Sequence, residues 1–313
     1  MSADLSPIGS LWGRLWRHLP ANRWRVETAV VSLTGARDEN QDNYLLLADG
    51  RAEYLLDGEP HRVPVDHWPG RYIRLMVFDG MGGHRDGRQV AEAAARAAVR
   101  IPPQRGEQSL RVALQALHQE LAEGFIREGE PGNPGATVVW VEVDLRSGGA
   151  WLAQVGDSRV YLLRGRRWRC LTHDHTLVEF NWRDGDLDEV RYRELSALPG
   201  QRLAQALAYG SWGIRRDDSG AKPYQGDARL RLDLPDDLPA DKADHADVRA
   251  LSLSSGDRLL LASDGLWSHA ADGQWWGPED LEVSTEELQA LATQAIARGG
   301  RDNVTVVGVH LMK

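Results

Sequence analysis

The sequence predicts an α+β domain in which layers of strands pack against helices. Apolar segments with strand-like patterns follow one another along the chain, and turn residues separate them. Helical patterns are inserted between runs of strands, at one point as a pair, and do not follow every strand. A βαβ repeat needs strands and helices to alternate, so this order favours an α+β layered arrangement.

The predicted elements begin at Val26. Apolar segments bounded by polar, Gly-containing or Asp-containing turns are interpreted as strands, over residues 27–33, 44–48, 72–78, 137–145, 151–155, 159–164, 259–263 and 304–311. Segments with alanine or leucine at a spacing near 3.6 are interpreted as helices, over residues 89–101, 109–126 and 285–297. Gly299 and Gly300 supply the stop signal of the last helix.

Two segments differ from this pattern. Residues 1–25 form a lead, in which leucines and tryptophans between Leu11 and Leu19 recur at helical spacing among basic residues. We expect this amphipathic segment to dock on its own domain or on a partner; contact of residues 8–20 with an anionic membrane surface is the alternative. Within the main domain, residues 26–313, the stretch 211–247 is rich in Asp, Pro, Ala and Gly, which predicts a surface insertion.

The composition argues against several classes of protein. With 37 Lys and Arg against 46 Asp and Glu, the formal charge of −9 argues against a sequence-wide attraction to nucleic acid. Cys170 is the only cysteine, so an intramolecular disulfide framework is excluded, and we expect this residue to be a small core residue. No apolar run approaches the roughly 20 residues of a membrane span. Arginines interrupt the first 25 residues, which argues against a signal peptide and predicts a cytoplasmic location.

Three aspartates share a context that points to a cation site. Asp79 and Asp264 each follow an apolar strand, and Asp302 precedes one. Carboxylates held where buried strands surface repel one another when they are gathered, unless a cation neutralises them. Each aspartate alone is equally well explained as a turn former. An all-oxygen ligand set selects hard cations, so Mg²⁺ or Mn²⁺ is expected rather than zinc.

The surroundings of these aspartates resemble the metal-dependent, type-2C (PPM-type) serine/threonine protein phosphatases. Seven segments occur in the order of that family: TGARDENQD at 34–42, VFDGMGGH at 77–84, GAT at 135–137, VGDSRVY at 155–161, LTHDHT at 171–176, ASDGLW at 262–267 and GGRDNVT at 299–305. The resemblance covers nearly the whole chain. It implies a four-layer αββα sandwich of two antiparallel sheets flanked by helices, with the catalytic cleft formed by loops at one end.

The resemblance also assigns the metal ligands. It implies that Asp79 bridges two Mg²⁺ or Mn²⁺ ions, that the Gly80 carbonyl serves one of them, and that Asp264 and Asp302 serve the other. Asp157 is implied as a ligand of a third, more weakly held ion that it shares with Asp264; the alternative is a turn residue of a β-hairpin.

Two further residues receive roles from the same resemblance. Asp42 would orient metal-bound water, with Gln41 where many relatives have Glu, and the planar guanidinium of Arg37 would bind the substrate phosphate. His173 and His175 lie in one of the seven segments; we expect both to be structural, since neither has a metal-ligand partner at a recognisable spacing. Residues 177–199, where the family has a flap, do not align with it.

The function implied is hydrolysis of phosphoserine and phosphothreonine in proteins by water activated between two metal ions, without a protein nucleophile. The expected substrates are those of a Ser/Thr kinase. Two alternatives stay open: a catalytically inactive phosphoprotein-binding module on the same fold, and a hydrolase of small phosphate esters. Loss of a metal aspartate would favour the inactive module, but Asp79, Asp264 and Asp302 are all present.

Overall fold

The structure is a computed structural model that describes residues 8–10, 24–82, 86–125, 134–198, 201–223, 226–270 and 274–313. Its seventeen strands are, in chain order, β1 Ile8–Ser10, β2 Arg25–Leu33, β3 Asp42–Ala48, β4 Arg51–Leu56, β5 Glu59–Pro64, β6 Tyr72–Met81, β7 Gly135–Ala136, β8 Val138–Asp144, β9 Ala150–Val155, β10 Arg159–Arg164, β11 Arg167–Cys170, β12 Gln205–Ala206, β13 Gly210–Trp212, β14 Gly226–Asp227, β15 Val248–Leu251, β16 Arg258–Ala262 and β17 Val304–Met312.

The helices occupy three parts of the described chain. The α-helices are α1 Asp86–Arg100, α2 Glu107–Phe125, α3 Leu177–Arg183, α4 Glu189–Ser196 and α5 Thr285–Ala297. Short 3₁₀ helices span Pro235–Asp237, Ala240–His245 and Asp264–Leu266. The Ser284 hydroxyl caps α5 by accepting a hydrogen bond from the Glu287 amide, and the chain leaves this helix through Gly299 at φ +102°.

The strands form two large antiparallel sheets. The first has the order β1-β2-β17-β16-β10-β11, and the second has the order β15-β9-β8-β6-β3-β4-β5, with β7 paired to the end of β6. A small third sheet consists of β12, β13 and β14. Every neighbouring pair is antiparallel, as expected when strands follow one another without crossover helices.

Three apolar clusters define four layers. Alternation along β3 sends Tyr44 and Leu46 toward the first sheet, and Leu45 and Leu47 toward helices α1 and α2. Alanines on the buried face of α1 allow that helix to lie close to the second sheet. The first sheet packs its other face on α5 through a third cluster, which includes Val31, Leu288 and Val306. The predicted αββα sandwich is therefore confirmed.

The strongly patterned elements lie where the sequence predicts them, and helix 285–297 has the predicted bounds. The prediction did not include the β4–β5 hairpin, strand β15 or helices α3 and α4. Strand β1, which belongs to the lead, pairs with Val30–Ser32 of β2 in the main domain, and this strand pairing was not predicted. The amphipathic pattern of Leu11–Leu19 lies outside the described residues.

The stretch 211–247 combines exposed and buried parts. Residues 215–222 are largely exposed around a turn at Asp217, but Leu230 and Leu232 are buried in the cluster beneath α1 and α2. The Asp247 carboxylate is fully buried against Arg183. A surface insertion in the strict sense therefore describes only the first part of this stretch, and the domain boundaries remain a prediction.

Candidate metal and phosphate site

A cavity of about 750 Å³ brings together residues that are far apart in the sequence. Most of the predicted site residues line it: Arg37, Asp79, Gly80, Asp157, Asp264 and Asp302. They come from both sheets, and the contact between Arg37 and Asp302 joins residues 265 positions apart. Asp42 lies just behind this group and is almost fully buried.

The ladder between β3 and β6 positions two of the carboxylates. Asp42 and Asp79 are directly opposite each other in that register. The Ser263 hydroxyl donates a hydrogen bond to Asp42 Oδ2 at 2.6 Å, and the Asp79 amide donates to Thr137 Oγ1 at 3.1 Å. Because backbone pairing and buried hydroxyls fix these positions, the two carboxylates cannot move apart without breaking the ladder.

Asp264 and Asp302 approach from the other sheet. Asp264 starts a 3₁₀ helix directly after β16, and its Oδ1 atom is buried without a hydrogen-bond partner in the described part of the chain. A Cβ at the next position, Gly265, would collide with the carbonyl oxygen of Asn303, so only glycine permits this close packing. The amide of Asn303 donates to Asp302 Oδ1 at 2.9 Å. A buried carboxylate oxygen without a donor is the kind of atom that a cation satisfies.

Burial and mutual repulsion act together on the acidic groups. Burial, and then the charges of Asp264 and Asp302, raise the pKa of Asp42 to about 7, although hydroxyl hydrogen bonds oppose the shift. Burial and the charge of Asp302 raise the pKa of Asp264 to about 6. The pKa values of Asp79 and Asp157 rise well above the usual range through burial and neighbouring carboxylates. The site therefore fits divalent cations, whose charge would offset the desolvation and the repulsion.

Gly80, near the end of β6, lies between the first turn of α1 and the loop that precedes β3. A Cβ at this residue would collide with the carbonyl oxygens of Gly87 and Gln41, so a side chain is excluded. The Gly80 amide donates to the Gln41 carbonyl at 3.2 Å, which joins β6 to the loop that carries Arg37. At this position the cavity wall is therefore formed by the backbone of Gly80, because no side chain fits there.

Arg37 lies at the rim of the cavity beside Asp302. Its side chain is 57% exposed, and Nη2 donates to Asp302 Oδ2 at 2.6 Å. This hydrogen bond and the charge of Asp302 raise the pKa of Arg37, so the guanidinium is fully charged. The loop that carries it is held by Asn303, whose side-chain amide donates to the carbonyls of Thr34 and Glu39. A planar cation held next to the Asp302 carboxylate can bind a phosphate that reaches the cavity.

Asp157 follows a tight turn at Gly156, which has φ +101°. The next residue, Ser158, places its hydroxyl 2.7 Å from Thr137 Oγ1, the atom that accepts from the Asp79 amide. A chain of two hydroxyls therefore connects the Asp157 turn to the strand of Asp79. Thr137, Ser158 and Ser263 lie in the matching segments but received no predicted role. Ser158 and Ser263 directly neighbour Asp157 and Asp264 in the sequence, and that adjacency was the only local signal.

Other residues in or near the matching segments lie at different places in the structure. His84 lies outside the described residues, and Met81 lines the cavity. Of the tryptophans after Asp264, Trp275 is buried and Trp276 is 54% exposed. Cys170 is partly buried in the cluster on α5, consistent with a small packing residue. His173 does have potential ligand partners in space, Glu179 and His245, which corrects the premise that led us to expect none.

Comparison with known proteins agrees with this geometry, although no family model matches the chain. The serine/threonine phosphatase Stp of Listeria monocytogenes is 27% identical over 248 residues, which cover 75% of this chain and 83% of that protein. The structure of the Streptococcus agalactiae serine/threonine phosphatase superposes with a TM-score of 0.61 at 21% identity, over 92% of this chain and 100% of that one. The catalytic domain of the phosphatase PstP, solved in complex with two manganese ions, has a TM-score of 0.56 at 22% identity, over 93% and 100%.

The two sheets and the flanking helices have the fold of the solved serine/threonine phosphatases. Together with the sequence relatives they show that this chain is a homologue of the bacterial PPM-type serine/threonine phosphatases and an enzyme of that class.

Proposed function

We propose that Asp79, Asp264, Asp302 and the Gly80 carbonyl hold two Mg²⁺ or Mn²⁺ ions, and that Asp157 and Asp264 share a weaker third. The observation that carries this proposal is the buried, mutually repelling set of carboxylates, including an Asp264 oxygen without a donor. The two manganese ions bound by the PstP catalytic domain, a protein of the same fold, support a two-ion site. When bound, such ions lower the pKa of a coordinated water and neutralise phosphoryl charge.

The chain's own residues provide binding and orientation. The charged guanidinium of Arg37 binds the phosphoryl oxygens of the substrate at the rim. Asp42, fixed by Ser263 and by the ladder with Asp79, holds the attacking water by accepting its hydrogen bond. The positions of these groups orient the water toward phosphorus, which is the main contribution a protein makes to phosphoryl transfer.

We propose that the substrates are phosphoserine and phosphothreonine proteins modified by a Ser/Thr kinase in the cytoplasm. The open cavity and the serine/threonine phosphatase relatives support a protein substrate. Among the described residues, no helix has the length and apolar character needed to cross a membrane. Recognition of a phosphoprotein by this site needs no nucleic acid and no membrane span.

The decisive experiment is release of phosphate from phosphoserine and phosphothreonine peptides with Mn²⁺, with Mg²⁺ and with EDTA. We expect turnover with either ion and none with the chelator. Turnover of small aryl phosphates without turnover of the peptides would favour a small-molecule hydrolase, and binding of phosphopeptides without turnover would favour an inactive module.

The source of the proton for the departing serine oxygen is a separate question. Met81 follows Asp79 and Gly80 and cannot donate a proton, so water in the cavity or His84 must do so. We propose that water in the cavity, and not His84, is the proton source. His84→Ala should then slow phosphoserine peptides and p-nitrophenyl phosphate by the same factor. A loss of 10² or more on the peptides alone would instead identify His84 as a general acid.

A further inference from the structure

A second cluster of potential metal ligands lies apart from the aspartates. His173 belongs to the loop after β11, Glu179 to helix α3, and His245 to the 3₁₀ helix Ala240–His245. One ligand atom from each of the three lies within 4.8 Å of the other two. None of these residues lines the aspartate cavity; His173 and Glu179 instead border a second cavity of about 380 Å³. The cluster is therefore independent of the proposed catalytic ions.

The two imidazoles lie face to face. Their rings stack with centroids 3.4 Å apart and planes 20° from parallel. His245 Nδ1 lies 2.8 Å from Glu179 Oε1, and the backbone amide of His173 donates to Gln154 Oε1 at 3.2 Å. The His173 side chain borders the second cavity, from which a metal ion can reach its ring.

The charges around the cluster permit a cation. The Glu179 carboxylate is buried, which opposes ionisation, but hydrogen bonding to His245 and the charge of Arg183 lower its pKa well below the usual range. Burial and the neighbouring His245 lower the pKa of His173 to about 3, so this imidazole is neutral near pH 7. Neutral imidazole and ionised carboxylate are the forms in which these groups bind metals.

Arg183 is the one cation that contacts Glu179 directly among the described residues, through Nε at 2.8 Å. Its Nη1 atom is 2.6 Å from Asp247 Oδ1 and 3.4 Å from Asp233 Oδ2, so two further carboxylates offset its charge. Glu179 also accepts a hydrogen bond from the Tyr192 hydroxyl at Oε2. The carboxylate is thus held in place, and its Oε1 atom, which accepts from Arg183 Nε, also lies 2.8 Å from His245 Nδ1.

We propose that His173, Glu179 and His245 form a structural transition-metal site, with Zn²⁺ as the best match to two imidazoles and one carboxylate. Bonds of about 2.0–2.2 Å in a tetrahedron place ligand atoms roughly 3.4 Å apart, so these atoms, which lie within 4.8 Å of one another, move closer when the ion binds. The metal displaces the proton between His245 Nδ1 and Glu179 Oε1. Water from the second cavity supplies the fourth ligand.

Such a site ties together three segments beside the catalytic cavity. His173 immediately precedes Asp174, whose carboxylate holds Arg159 through two hydrogen bonds of 2.9 and 2.8 Å. Arg159 in turn follows the Asp157 turn by two residues. A metal at His173 therefore fixes the loop that supports Asp157, and it anchors α3 to residues 240–245.

Zn²⁺ binding to the intact protein tests this site. Equilibrium dialysis is done in excess Mg²⁺, and again with the Asp79→Asn variant, so that binding to the aspartates is recognised. We expect wild type and Asp79→Asn each to retain one Zn²⁺ per chain in the presence of a competing chelator. The same chelator concentration should remove Zn²⁺ from His173→Ala and from Glu179→Gln. His67→Ala, a change at an exposed histidine, is the matched control and should bind like wild type.

A second readout separates loss of ligands from loss of fold. Co²⁺ in place of Zn²⁺ should give wild type, but not His173→Ala, the visible absorption bands of a tetrahedral site. Circular dichroism should show that the variant stays folded. Zinc bound with equal affinity by wild type and both variants, or the absence of bound zinc and of cobalt bands in wild type, would overturn the proposal. Either result would leave the phosphatase activity to be decided by the peptide assay.

Discussion

Two regions of the second sheet bury charge in opposite ways. Arg74 and Glu142 are directly opposite each other on β6 and β8, fully buried, and joined by hydrogen bonds of 2.7 and 3.1 Å. At the other end of the same strand β6, Asp79 is surrounded by carboxylates. Among the described residues, no buried arginine or lysine pairs with Asp79 as Arg74 pairs with Glu142.

The first region completes its hydrogen bonds within the chain. The guanidinium of Arg74 also donates to the carbonyls of Ala98, Ile101 and Pro102, and it lies between the rings of Trp68 and Trp140. Glu142 accepts from the Trp140 indole and from the Gln104 amide. Strand β6 thus carries one partner of a self-sufficient ion pair and one member of an acidic cluster. The ion pair joins β6 to β8 and to the end of α1, and the acidic cluster is the part that we propose binds ions from solution.

Breaking the self-sufficient pair should have the largest effect on the molecule. Glu142→Gln leaves the Arg74 charge buried without its counter-ion, and we expect a loss of about 3–5 kcal/mol in the free energy of unfolding. Urea unfolding measures the change. Glu279→Gln, which removes the partner of the exposed Arg166, should leave the free energy of unfolding nearly unchanged, because water screens an exposed ion pair. If both changes cost the same, burial is not what makes the Arg74 pair important.

The double substitution Arg74→Met with Glu142→Leu sharpens the same point. Replacing both charges by apolar groups removes the penalty of an unpaired ion, so most of the stability lost in Glu142→Gln should return. Failure to recover would mean that the hydrogen bonds of Arg74 to the three carbonyls after α1 contribute more than the ion pair.

The acidic cluster should respond through activity. Asp79→Asn and Asp264→Asn each remove an anionic ligand, and we expect kcat at saturating metal to fall by about 100-fold or more, since bound metal contributes several kcal/mol to transition-state stabilisation. Phosphopeptide assays at increasing Mn²⁺ measure this. Asp66→Asn, at an exposed position, is the control. Turnover of either ligand variant within tenfold of wild type would contradict the two-metal assignment.

Removal of the metal ions should lower the stability of the folded protein, because the repulsion between the carboxylates is then no longer offset. Ions that bind only the folded chain stabilise it by about 2.7 kcal/mol at 100 times their dissociation constant, so EDTA should lower the melting temperature. Asp79→Asn should show a smaller difference with and without Mn²⁺. An equal response of wild type and variant would show that Mn²⁺ stabilises the protein at other residues.

The EDTA-treated protein should also depend on pH in a defined direction. The pKa of Asp264 rises to about 6 and that of Asp42 to about 7 on folding, from an unfolded value of 3.8. The folded chain therefore keeps protons that the unfolded chain loses, and stability should fall as pH rises from about 4 to about 7. Thermal melts across this range should show the fall in EDTA and a weaker one with Mn²⁺.

The smallest effect is expected at the rim. Arg37→Ala removes an exposed phosphate contact, and we expect KM to rise by about tenfold and kcat/KM to fall, with metal affinity little changed. Arg51→Ala, on the exposed end of β4, controls for loss of surface charge. Unchanged kinetics would mean that Arg37 is only the partner of Asp302.

Local sequence patterns predicted those parts of the fold in which the buried residues form a recognisable apolar pattern. Strands such as β3 and β8 consist of buried residues and helix α5 has a capping serine, so both were found. The β4–β5 hairpin was missed because β5 contains two prolines and has no fully buried residue, so it lacks an apolar strand pattern. Helix α4 was missed because it buries no side chain in the described structure.

The site residues also divide into those that the sequence predicts and those that it does not. The seven matching segments predicted the aspartates and Arg37, because each of these residues lies within a recognisable run of neighbours in the sequence. The hydroxyl pair of Thr137 and Ser158 could not be inferred from spacing, since it forms only when β8 and the Asp157 turn pack together. The pairing of Glu179 with His245, 66 residues apart, has no local signal for the same reason.

The last strand of the chain, β17, lies in the middle of the first sheet, between β2 and β16. During synthesis the ribosome produces it after every other described element, while Asp42 and Asp79 can already face each other on β3 and β6. Asp42 and Asp79 thus belong to one sheet, whereas Asp302 directly precedes the strand that joins β2 to β16 in the other. We therefore expect Asp302 to reach the cavity only when Val304 to Met312 occupies its place between those two strands.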